Sequence, residues 1–304
     1  MKMIDIGKSG LRASAVGIGC MRISELTARE VERLIHTALD AGINLFDHAD
    51  IYGGGRCESL FGEVLAGQPQ LREQMVLQSK CGICQGYYDL SKEHILTAVD
   101  GILKRLHTDY LDLLLLHRPD SLMEPEEIGE AFDQLAGSGK VRHFGVSNMN
   151  PAQIELIQSG LGRPLAANQM QFSLARSGLV DSGIHANVPN DQDSRDESVL
   201  EYCRLKNITI QTWSPLQYGF FAGTFLGSEK FPELNARLNA LAEQYGVTPG
   251  AIAIAWILRH PAKMQVICGS KNPGRIAEYS AAAQVELSRQ EWYSLYRAAG
   301  NDLP

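Results

Sequence analysis

The segment Leu111–Leu116, with the sequence LDLLLL, decides the fold of this chain of 304 residues. It is short and almost wholly apolar, which is typical of a strand buried on both faces of a parallel sheet. The segment before it carries apolar residues at helical spacing, at Ile95, Val99, Leu103 and Leu106. A helix followed by a buried strand is the repeating unit of parallel β/α folds.

The same unit recurs along the chain. Further runs rich in β-branched residues or leucine bring the predicted strands to eight, at residues 16–19, 44–47, 76–79, 111–116, 141–146, 165–169, 208–212 and 265–268. Helix starts lie between them, because Thr27 and Glu30 form a capping box and Asn150, Thr248 and Asn272 each precede a proline. Eight such units predict one α/β domain over residues 1–304, a closed (β/α)₈ TIM barrel.

Two segments lie outside this repeat. Residues 3–6, with a turn at residues 7–10, predict a short N-terminal β-hairpin over the barrel floor. Residues 172–194 form the longest stretch without a helical or strand pattern, and they follow the sixth predicted strand. Active sites of such barrels lie at the C-terminal ends of the strands, so this stretch is expected over the mouth of the site.

Composition excludes several classes of protein. The net charge is -7 and no cluster of Lys and Arg provides a surface for phosphate backbones, so a nucleic-acid partner is not expected. No apolar run approaches the roughly 20 residues that span a bilayer, and the N-terminal residues do not resemble a signal peptide. Six cysteines in this length are not a disulfide framework, which favours a cytoplasmic location. Nothing forces a dimer, so a monomer or weak homo-oligomer is expected.

Polar residues with complementary chemistry follow three neighbouring strands. Asp47 ends the second predicted strand, Tyr52 follows it, Lys80 comes after the third and His117 after the fourth. Strand ends converge in a closed barrel, so these four side chains are expected to share one cavity. Taken singly, each has an ordinary alternative role as a helix cap, a packed ring or a solvated charge. Together they form a set that can reduce a carbonyl group.

Carbonyl reduction requires a proton donor and a polarising group for the oxygen that gains negative charge. A free tyrosine has a pKa of about 10, which is high for this task. An ammonium about 4 Å away contributes roughly 4 kcal/mol at an effective dielectric of about 20, or roughly three pKa units. Lys80 is therefore expected to lower the pKa of Tyr52, with Asp47 fixing the lysine and His117 donating to the carbonyl oxygen.

Short motifs follow one another along nearly the whole chain, at residues 47–53 (DHADIYG), 79–80 (SK), 116–120 (LHRPD), 145–148 (GVSN), 168–169 (NQ), 213–216 (WSPL) and 269–271 (GSK). In order and spacing they resemble the motifs of the aldo-keto reductase family. The resemblance implies a (β/α)₈ barrel, NADPH/NADP⁺ as cofactor and a small carbonyl compound as substrate. It also implies a catalytic tetrad, which falls on Asp47, Tyr52, Lys80 and His117.

The resemblance also assigns cofactor positions. It implies that Ser147, Asn148 and Gln169 hold the nicotinamide carboxamide, that Trp213 stacks on the nicotinamide, and that Ser214, Pro215 and Leu216 lie near the pyrophosphate. Lys271 and Arg275 match positions that contact the adenosine 2′-phosphate, and Glu278 matches an adenine contact. The residues themselves agree, since Gly269 and Ser270 lead to a helix N-terminus flanked by two cations, which is a site for anions. The two cations favour NADPH over NADH.

Departures from the family pattern concern two positions and the specificity loops. His48 stands where Thr is common, and Tyr279 where Asn is common, which leaves one adenine contact open. Many members read their substrate with a longer C-terminal tail than the one present here. Substrate specificity is therefore expected from residues 81–89 and 172–194, with residues 217–231 as a third contributor.

Other interpretations compete with a reductase. A cofactor-sensing regulatory subunit would bind NADP(H) with little turnover, and a metal-dependent hydrolase would need a ligand pair that the sequence does not provide. Cys81 and Cys84 have the spacing of a redox motif, but they are expected to line the pocket, with oxidation that displaces Lys80 as the alternative. The cysteines at positions 20, 57, 203 and 268 are expected in the core.

Overall fold

Eight parallel strands close into a barrel in the part of the chain that the computed structural model describes, residues 1–184, 198–219 and 221–303. Their order around the barrel is β3-β4-β5-β6-β7-β8-β9-β10, with β10 pairing back onto β3. The strands are β1 Met3–Asp5, β2 Arg12–Ser14, β3 Val16–Gly19, β4 Leu45–Asp47, β5 Val76–Cys81, β6 Leu111–Leu116, β7 Val141–Ser147, β8 Ala167–Gln171, β9 Thr209–Trp213 and β10 Gln265–Cys268. The predicted (β/α)₈ barrel is confirmed.

Helices cover the outer face of the barrel. They are α1 Ala28–Asp40, α2 Arg56–Gly67, α3 Lys92–Leu106, α4 Pro125–Gly137, α5 Pro151–Ser159, α6 Gly178–Ile184, α7 Val199–Lys206, α8 Pro232–Tyr245, α9 Pro249–Leu258, α10 Pro273–Ala282 and α11 Arg289–Ala298, with 3₁₀ turns at Ile23–Glu25, Tyr52–Gly55 and Pro69–Gln74. Within the described residues, none of these helices is long and apolar enough to cross a bilayer.

The helix starts form where the capping residues predict them. Thr27 accepts from the backbone N–H of Glu30, and the Glu30 carboxylate accepts from the backbone N–H of Thr27 at 2.8 Å. Asn150 forms the same reciprocal pair with Gln153 at the start of α5, and Thr248 accepts from Ala251 at the start of α9. Each cap satisfies backbone donors that would otherwise lack a partner, and each is worth about 1 kcal/mol.

The interior of the barrel is closed at its N-terminal end by the predicted hairpin, β1 and β2, which pair antiparallel. Ile4 and Ile6 pack with the inward-facing Leu45, Leu113 and Ile267 in an apolar cluster separate from the core under the helices. This plug excludes water from the lower barrel.

The expectation of an irregular stretch over residues 172–194 is wrong in part. Residues 178–184 form α6, in which Leu179 and Val180 are buried, while residues 185–194 lie outside the described residues. Asp181 explains the helix, since it accepts from the hydroxyl of Ser177 at 3.0 Å and from that of Tyr296 at 2.8 Å. The second contact joins α6 to α11, 115 residues later, and no local pattern reveals it.

Candidate active site

A cavity of about 930 Å³ opens at the C-terminal ends of the barrel strands. Of the four residues expected to share it, Asp47, Tyr52 and His117 line its wall, and Lys80 lies fully buried directly behind Asp47 and Tyr52. The structure therefore brings together four side chains that follow three different strands. A barrel mouth is where such convergence is expected.

Three consecutive glycines place Tyr52 at the cavity. The 3₁₀ turn that begins at Tyr52 continues through Gly53, Gly54 and Gly55, whose φ angles are 59°, 62° and 88°. These left-handed conformations are unfavourable for residues with a Cβ. A Cβ on Gly53 would also approach the Ser24 side chain to 2.9 Å. The glycines let the chain reverse between β4 and α2 and project the tyrosine ring over the strand ends.

The Lys80 ammonium is the centre of the site. Its Nζ lies 2.8 Å from both carboxylate oxygens of Asp47 and donates to the backbone carbonyl of His48 at 2.8 Å and to the Tyr52 hydroxyl oxygen at 3.2 Å. Since the tyrosine oxygen accepts from lysine, its own O–H proton is free to point into the cavity. This is the arrangement that a proton donor needs.

Burial and neighbouring charges shift the pKa values of Lys80 and Tyr52 in opposite directions. Burial alone disfavours the ammonium, but the Asp47 carboxylate and Tyr52 outweigh it, and the pKa of Lys80 is raised. Burial also raises the pKa of Tyr52, and Lys80 offsets only part of this rise. The expectation that Lys80 lowers the pKa of Tyr52 below its ordinary value is therefore wrong, because it left out the desolvation of the phenol. The Lys80 charge by itself does lower the pKa of Tyr52, but the desolvation outweighs it, so Tyr52 stays protonated at neutral pH.

His117 faces Tyr52 across the cavity floor, with ring centroids 5.8 Å apart and planes inclined by 82°. Burial lowers the pKa of His117 well below its ordinary value, and the Lys80 and Arg118 charges lower it further. The imidazole is therefore neutral at pH 7. Its Nδ1 has no hydrogen-bond partner among the residues that the structure describes. A neutral imidazole beside the tyrosine can donate to a carbonyl oxygen without transferring a full charge.

An amide layer, formed by Gln78, Gln169, Gln211 and Gln265, lies in the barrel beside Asp47. Gln78 and Gln211 exchange hydrogen bonds at 3.0 and 2.8 Å, and Gln211 also donates to Gln265 at 2.8 Å. Gln78 and Gln169 both donate to the Oδ1 atom of Asp47, the latter at 3.1 Å. The layer supports the ionised Asp47 from below. Of the four amides, only Gln169 was predicted to belong to the site, although a glutamine at an inward strand position is itself a signal.

The residues expected to hold a nicotinamide adjoin the predicted catalytic residues, since Gln169 donates to Asp47 at 3.1 Å and Asn148 donates to the His117 carbonyl at 3.4 Å. Ser147, Asn148, Gln169 and Trp213 all line the cavity. Asn148 has a left-handed φ of 58°, accepts from the Trp213 indole N–H at 3.1 Å and donates to the Ser147 hydroxyl at 2.8 Å. These contacts fix the indole and the amide edge in one orientation. This part of the cavity wall is therefore already formed without a ligand.

Of the residues expected at the phosphate end of the cavity, all except Lys271 line its wall. Ser214, Pro215, Leu216, Gly269, Ser270, Arg275 and Glu278 line the cavity, and so does Tyr279 beside Glu278. Lys271 does not line it, because its ammonium pairs with Glu25 at the protein surface. An exposed ion pair is worth about 0–1 kcal/mol, so Lys271 can exchange this partner for a phosphate at little cost.

Comparison with known proteins supplies the classification. The model of the aldo/keto reductase family matches residues 15–299. This chain belongs to the aldo/keto reductase family. It is 37% identical over 310 residues to the 6-dehydroglucose reductase of Novosphingobium aromaticivorans, covering 99% of this chain and 96% of the relative. It is 35% identical over 316 residues to the oxidoreductase YdhF of Escherichia coli, covering 100% of both.

Solved structures of other aldo/keto reductases have the same fold. The thermostable aldo-keto reductase Tm1743, in complex with the inhibitor epalrestat, matches with a TM-score of 0.78 and 27% identity, covering 98% of this chain and 100% of that chain. An aldo-keto reductase from Klebsiella pneumoniae in complex with NADPH matches with a TM-score of 0.77 and 24% identity, covering 98% and 95% of the two chains.

The cysteines of this aldo/keto reductase lie mostly outside the site. Cys81 is fully buried in β5, and neither it nor Cys84 lines the cavity, so the expectation that the pair lines the pocket is wrong. Side chains alternate along a strand, and Lys80 occupies the inward position next to Cys81. The expected core cysteines are buried, and Cys268 among them also borders the cavity.

The expected specificity loops contribute unequally to the cavity wall. Residues 81–89 supply only Ile83, and the described part of residues 172–194 supplies none, whereas residues 217–231 supply Gln217, Phe221, Thr224, Leu226 and Gly227. Sequence reasoning also missed Met21, Arg22, Ile51, Asn235 and Asn239, which line the same cavity. These residues follow β3 and β4 or lie on α8. Of the five, only Ile51 lies within a quoted motif, and nothing in that motif assigned it to the cavity wall.

His48 and Asp50 follow Asp47 in sequence, but neither of them lines the cavity. The alternation of side chains predicts that His48 faces away from Asp47, and it does, packing edge-on against Phe61 with ring centroids 4.6 Å apart. Burial lowers the pKa of His48 to about 3. No group of three or more potential ligands that could hold a metal ion occurs in the described part of the chain.

Asp50 leads to a prediction about stability and pH. Burial raises the pKa of Asp50 to about 7, and the nearby Glu58 carboxylate adds to the rise. In the unfolded chain the value is about 3.9. A carboxyl whose pKa is higher in the folded state stabilises the fold fully below about pH 4, and this contribution is lost as the pH rises through 7. We expect Asp50→Asn to become more stable relative to the parent protein as the pH is raised from 4 to 8.

Urea denaturation across this pH range measures the effect, and Asp40→Asn, at an exposed aspartate in α1, is the matched control. A difference between Asp50→Asn and the parent that does not change with pH would contradict the assignment.

Proposed function

We propose that the protein is an NADPH-dependent oxidoreductase that reduces aldehydes or ketones to alcohols, with Tyr52 as the proton donor. The contact of the Lys80 ammonium with both the Tyr52 hydroxyl and the Asp47 carboxylate, at the wall of a large cavity, carries this proposal. A buried phenol held by an ammonium serves few purposes other than proton transfer. Membership of the aldo/keto reductase family supports the same reaction class.

The cavity fits a nicotinamide dinucleotide. Its wall offers the Trp213 indole near Tyr52, and a Cβ added to Gly269 would meet no atom closer than 4.0 Å, which leaves room for a ligand along that backbone. Arg275, near the start of α10, lines the far end. When bound there, NADPH would supply the hydride for the carbonyl carbon. Asn148 and Gln169 would hold the carboxamide, and Trp213 would stack on the ring.

The chain's own residues supply the rest of the chemistry. Tyr52 and His117 would both donate hydrogen bonds to the substrate oxygen and polarise the carbonyl group. Tyr52 would transfer its proton as the alkoxide forms, and the Lys80 ammonium would stabilise the resulting phenolate. Asp47 keeps Lys80 charged and in place. The apolar surroundings exclude water, which strengthens each of these interactions.

Consumption of NADPH by the purified protein with a panel of aldehydes and ketones tests the proposal. We expect turnover with at least some of them and little turnover when NADH replaces NADPH. A cofactor-sensing regulatory subunit would instead bind NADPH tightly with negligible turnover, which would contradict the proposal. A hydrolase that depends on a metal would lose its activity with a chelator and would not need NADPH.

Arg275 is expected to determine the preference for NADPH. Its guanidinium lines the end of the cavity where an adenosine 2′-phosphate would lie, and hydrogen bonds to phosphate are among the stronger ones in proteins. We expect Arg275→Met to lower kcat/KM for NADPH by about 10- to 100-fold and to change the value for NADH much less. Steady-state kinetics with both cofactors measure this.

Arg289→Met is the control, because Arg289 is exposed on α11 and does not line the cavity. Equal losses with NADPH and NADH in Arg275→Met would show that the arginine does not read the 2′-phosphate.

A further inference from the structure

An uncompensated positive charge lies at the reactive end of the cavity. Arg118 follows His117 directly in sequence, and both residues line the cavity together with Tyr52. Arg118 is half-buried, and its charge is close enough to His117 to lower the pKa of the imidazole. The guanidinium therefore belongs to the same compartment as the groups that would act on a carbonyl.

No other side chain neutralises Arg118. In the described part of the chain its guanidinium makes neither a hydrogen bond nor an ion pair. The nearest acid in sequence, Asp120, is engaged elsewhere, since its carboxylate accepts from the backbone N–H groups of Leu90 at 3.1 Å and Leu122 at 2.9 Å. A half-buried cation without a partner is costly, and such a position is commonly retained for a ligand.

The other charges near Tyr52 do not compensate this cation. Lys80 is already paired with Asp47, so the two cancel, and His117 is neutral. The remaining acid on the cavity wall is Glu278, which lies beside Tyr279 on α10. The net charge around the carbonyl position is therefore positive, in a protein whose overall charge is -7.

We propose that Arg118 binds a carboxylate of the substrate, so that the protein acts on carbonyl acids. The inference rests on the proposed carbonyl reduction and specifies the substrate class. A guanidinium binds a carboxylate through two parallel hydrogen bonds, which adds geometric specificity to the charge. A substrate held at one end by Arg118 would place its carbonyl group between Tyr52 and His117.

Two further arginines line the cavity, and their positions point to the cofactor instead. Arg22 immediately precedes the 3₁₀ turn Ile23–Glu25, whose Glu25 pairs with Lys271 near the phosphate end. Arg275 lies on α10 at the same end. Arg118 alone is adjacent to His117. Arg22 is thus a matched control, because it has the same side chain on the wall of the same cavity.

Part of the cavity wall is apolar. Ile51 directly precedes Tyr52, and Ile83 and Phe221 line the cavity as well. A short aliphatic chain between the carbonyl group and the carboxylate fits these surroundings better than a polyhydroxylated chain, whose hydroxyls would lose their water without gaining partners. The substrate class is therefore an aliphatic aldehyde acid or keto acid.

Succinate semialdehyde and butanal test this, because both have four carbons and only the first has a carboxylate. We expect the parent protein to reduce succinate semialdehyde with a kcat/KM about 10- to 100-fold above that for butanal. In Arg118→Met this ratio should fall to near one, and in Arg22→Met it should persist. A ratio near one in the parent protein, or a ratio that Arg118→Met leaves unchanged, overturns the proposal.

Calorimetry separates this inference from the proposed reaction. The alcohol 4-hydroxybutanoate is titrated into the parent protein and into Arg118→Met, each with saturating NADP⁺. We expect the affinity to fall by the same 10- to 100-fold in the variant. If no aldehyde is reduced but Arg118 still determines this affinity, the carboxylate site stands and the reductase does not. If the affinity does not depend on Arg118, the carboxylate site is refuted whatever the kinetics show.

Discussion

Tyr52→Phe is expected to lower kcat for carbonyl reduction by about 100- to 10,000-fold, the range that a positioned proton donor contributes. Phenylalanine keeps the ring and its edge contact with His117 but removes the hydroxyl that accepts from Lys80. Binding of NADPH should change little, because the substitution removes only the hydroxyl, which is held by Lys80. Single-turnover kinetics and cofactor titration by fluorescence measure the two quantities separately.

Tyr293→Phe is the matched control. Tyr293 packs against Trp292 on α11, outside the cavity, so the loss of its hydroxyl should leave kcat within about twofold of the parent value. Full activity in Tyr52→Phe would rule out the tyrosine as the proton donor. A collapse of NADPH binding in that variant would instead assign it to the cofactor.

Lys80→Met is expected to lose about 3–5 kcal/mol of unfolding free energy as well as nearly all activity. The substitution leaves the buried Asp47 without its cation, and the donors that remain to its carboxylate among the described residues are Gln78 and Gln169 of the amide layer. Removing one partner of a buried ion pair lowers the unfolding free energy by more than the intact pair adds to it, because the remaining charge stays buried away from water. Guanidinium denaturation monitored by circular dichroism measures the loss.

Two variants test this interpretation. Lys140→Met removes an ion pair with Asp100 whose two side chains are 41% and 59% exposed, and it should cost less than about 1 kcal/mol. The double variant Asp47→Asn/Lys80→Met should recover part of the stability that Lys80→Met loses, because it removes the uncompensated carboxylate. A double variant no more stable than the single one would show that packing, and not charge, explains the loss.

The placement of Asp47 and Lys80 was predictable because it depends on strand ends and on the alternation of side chains along a strand. Asp47 and Lys80 were expected to face the same interior, with His48 turned away, and the structure agrees at each position. These relations follow from period-two geometry along β4 and β5 and from barrel closure. Neither requires knowledge of distant contacts.

Three features of the structure could not be predicted from the sequence, because they depend on burial or on contacts between segments that are far apart in the chain. The pKa of Tyr52 follows from the desolvation of its hydroxyl, which only the assembled cavity determines. Lys271 was expected at a phosphate, but its partner Glu25 lies 246 residues earlier. The helix α6 likewise depends on the hydroxyl of Tyr296. Each of these outcomes is decided by residues far apart in the chain.

The amide layer has a consequence for anyone who redesigns this site. Its four glutamines form one hydrogen-bonded network across the barrel interior. Gln265 donates to the Ser14 carbonyl at 2.7 Å, Gln211 joins Gln265, Gln169 and Gln78, and Gln78 donates to Asp47. If one of these glutamines is replaced by leucine, the neighbouring amides lose hydrogen-bond partners in an interior that water does not reach. Grafting the four reactive residues onto another eight-stranded scaffold would therefore fail unless the supporting floor is transplanted with them.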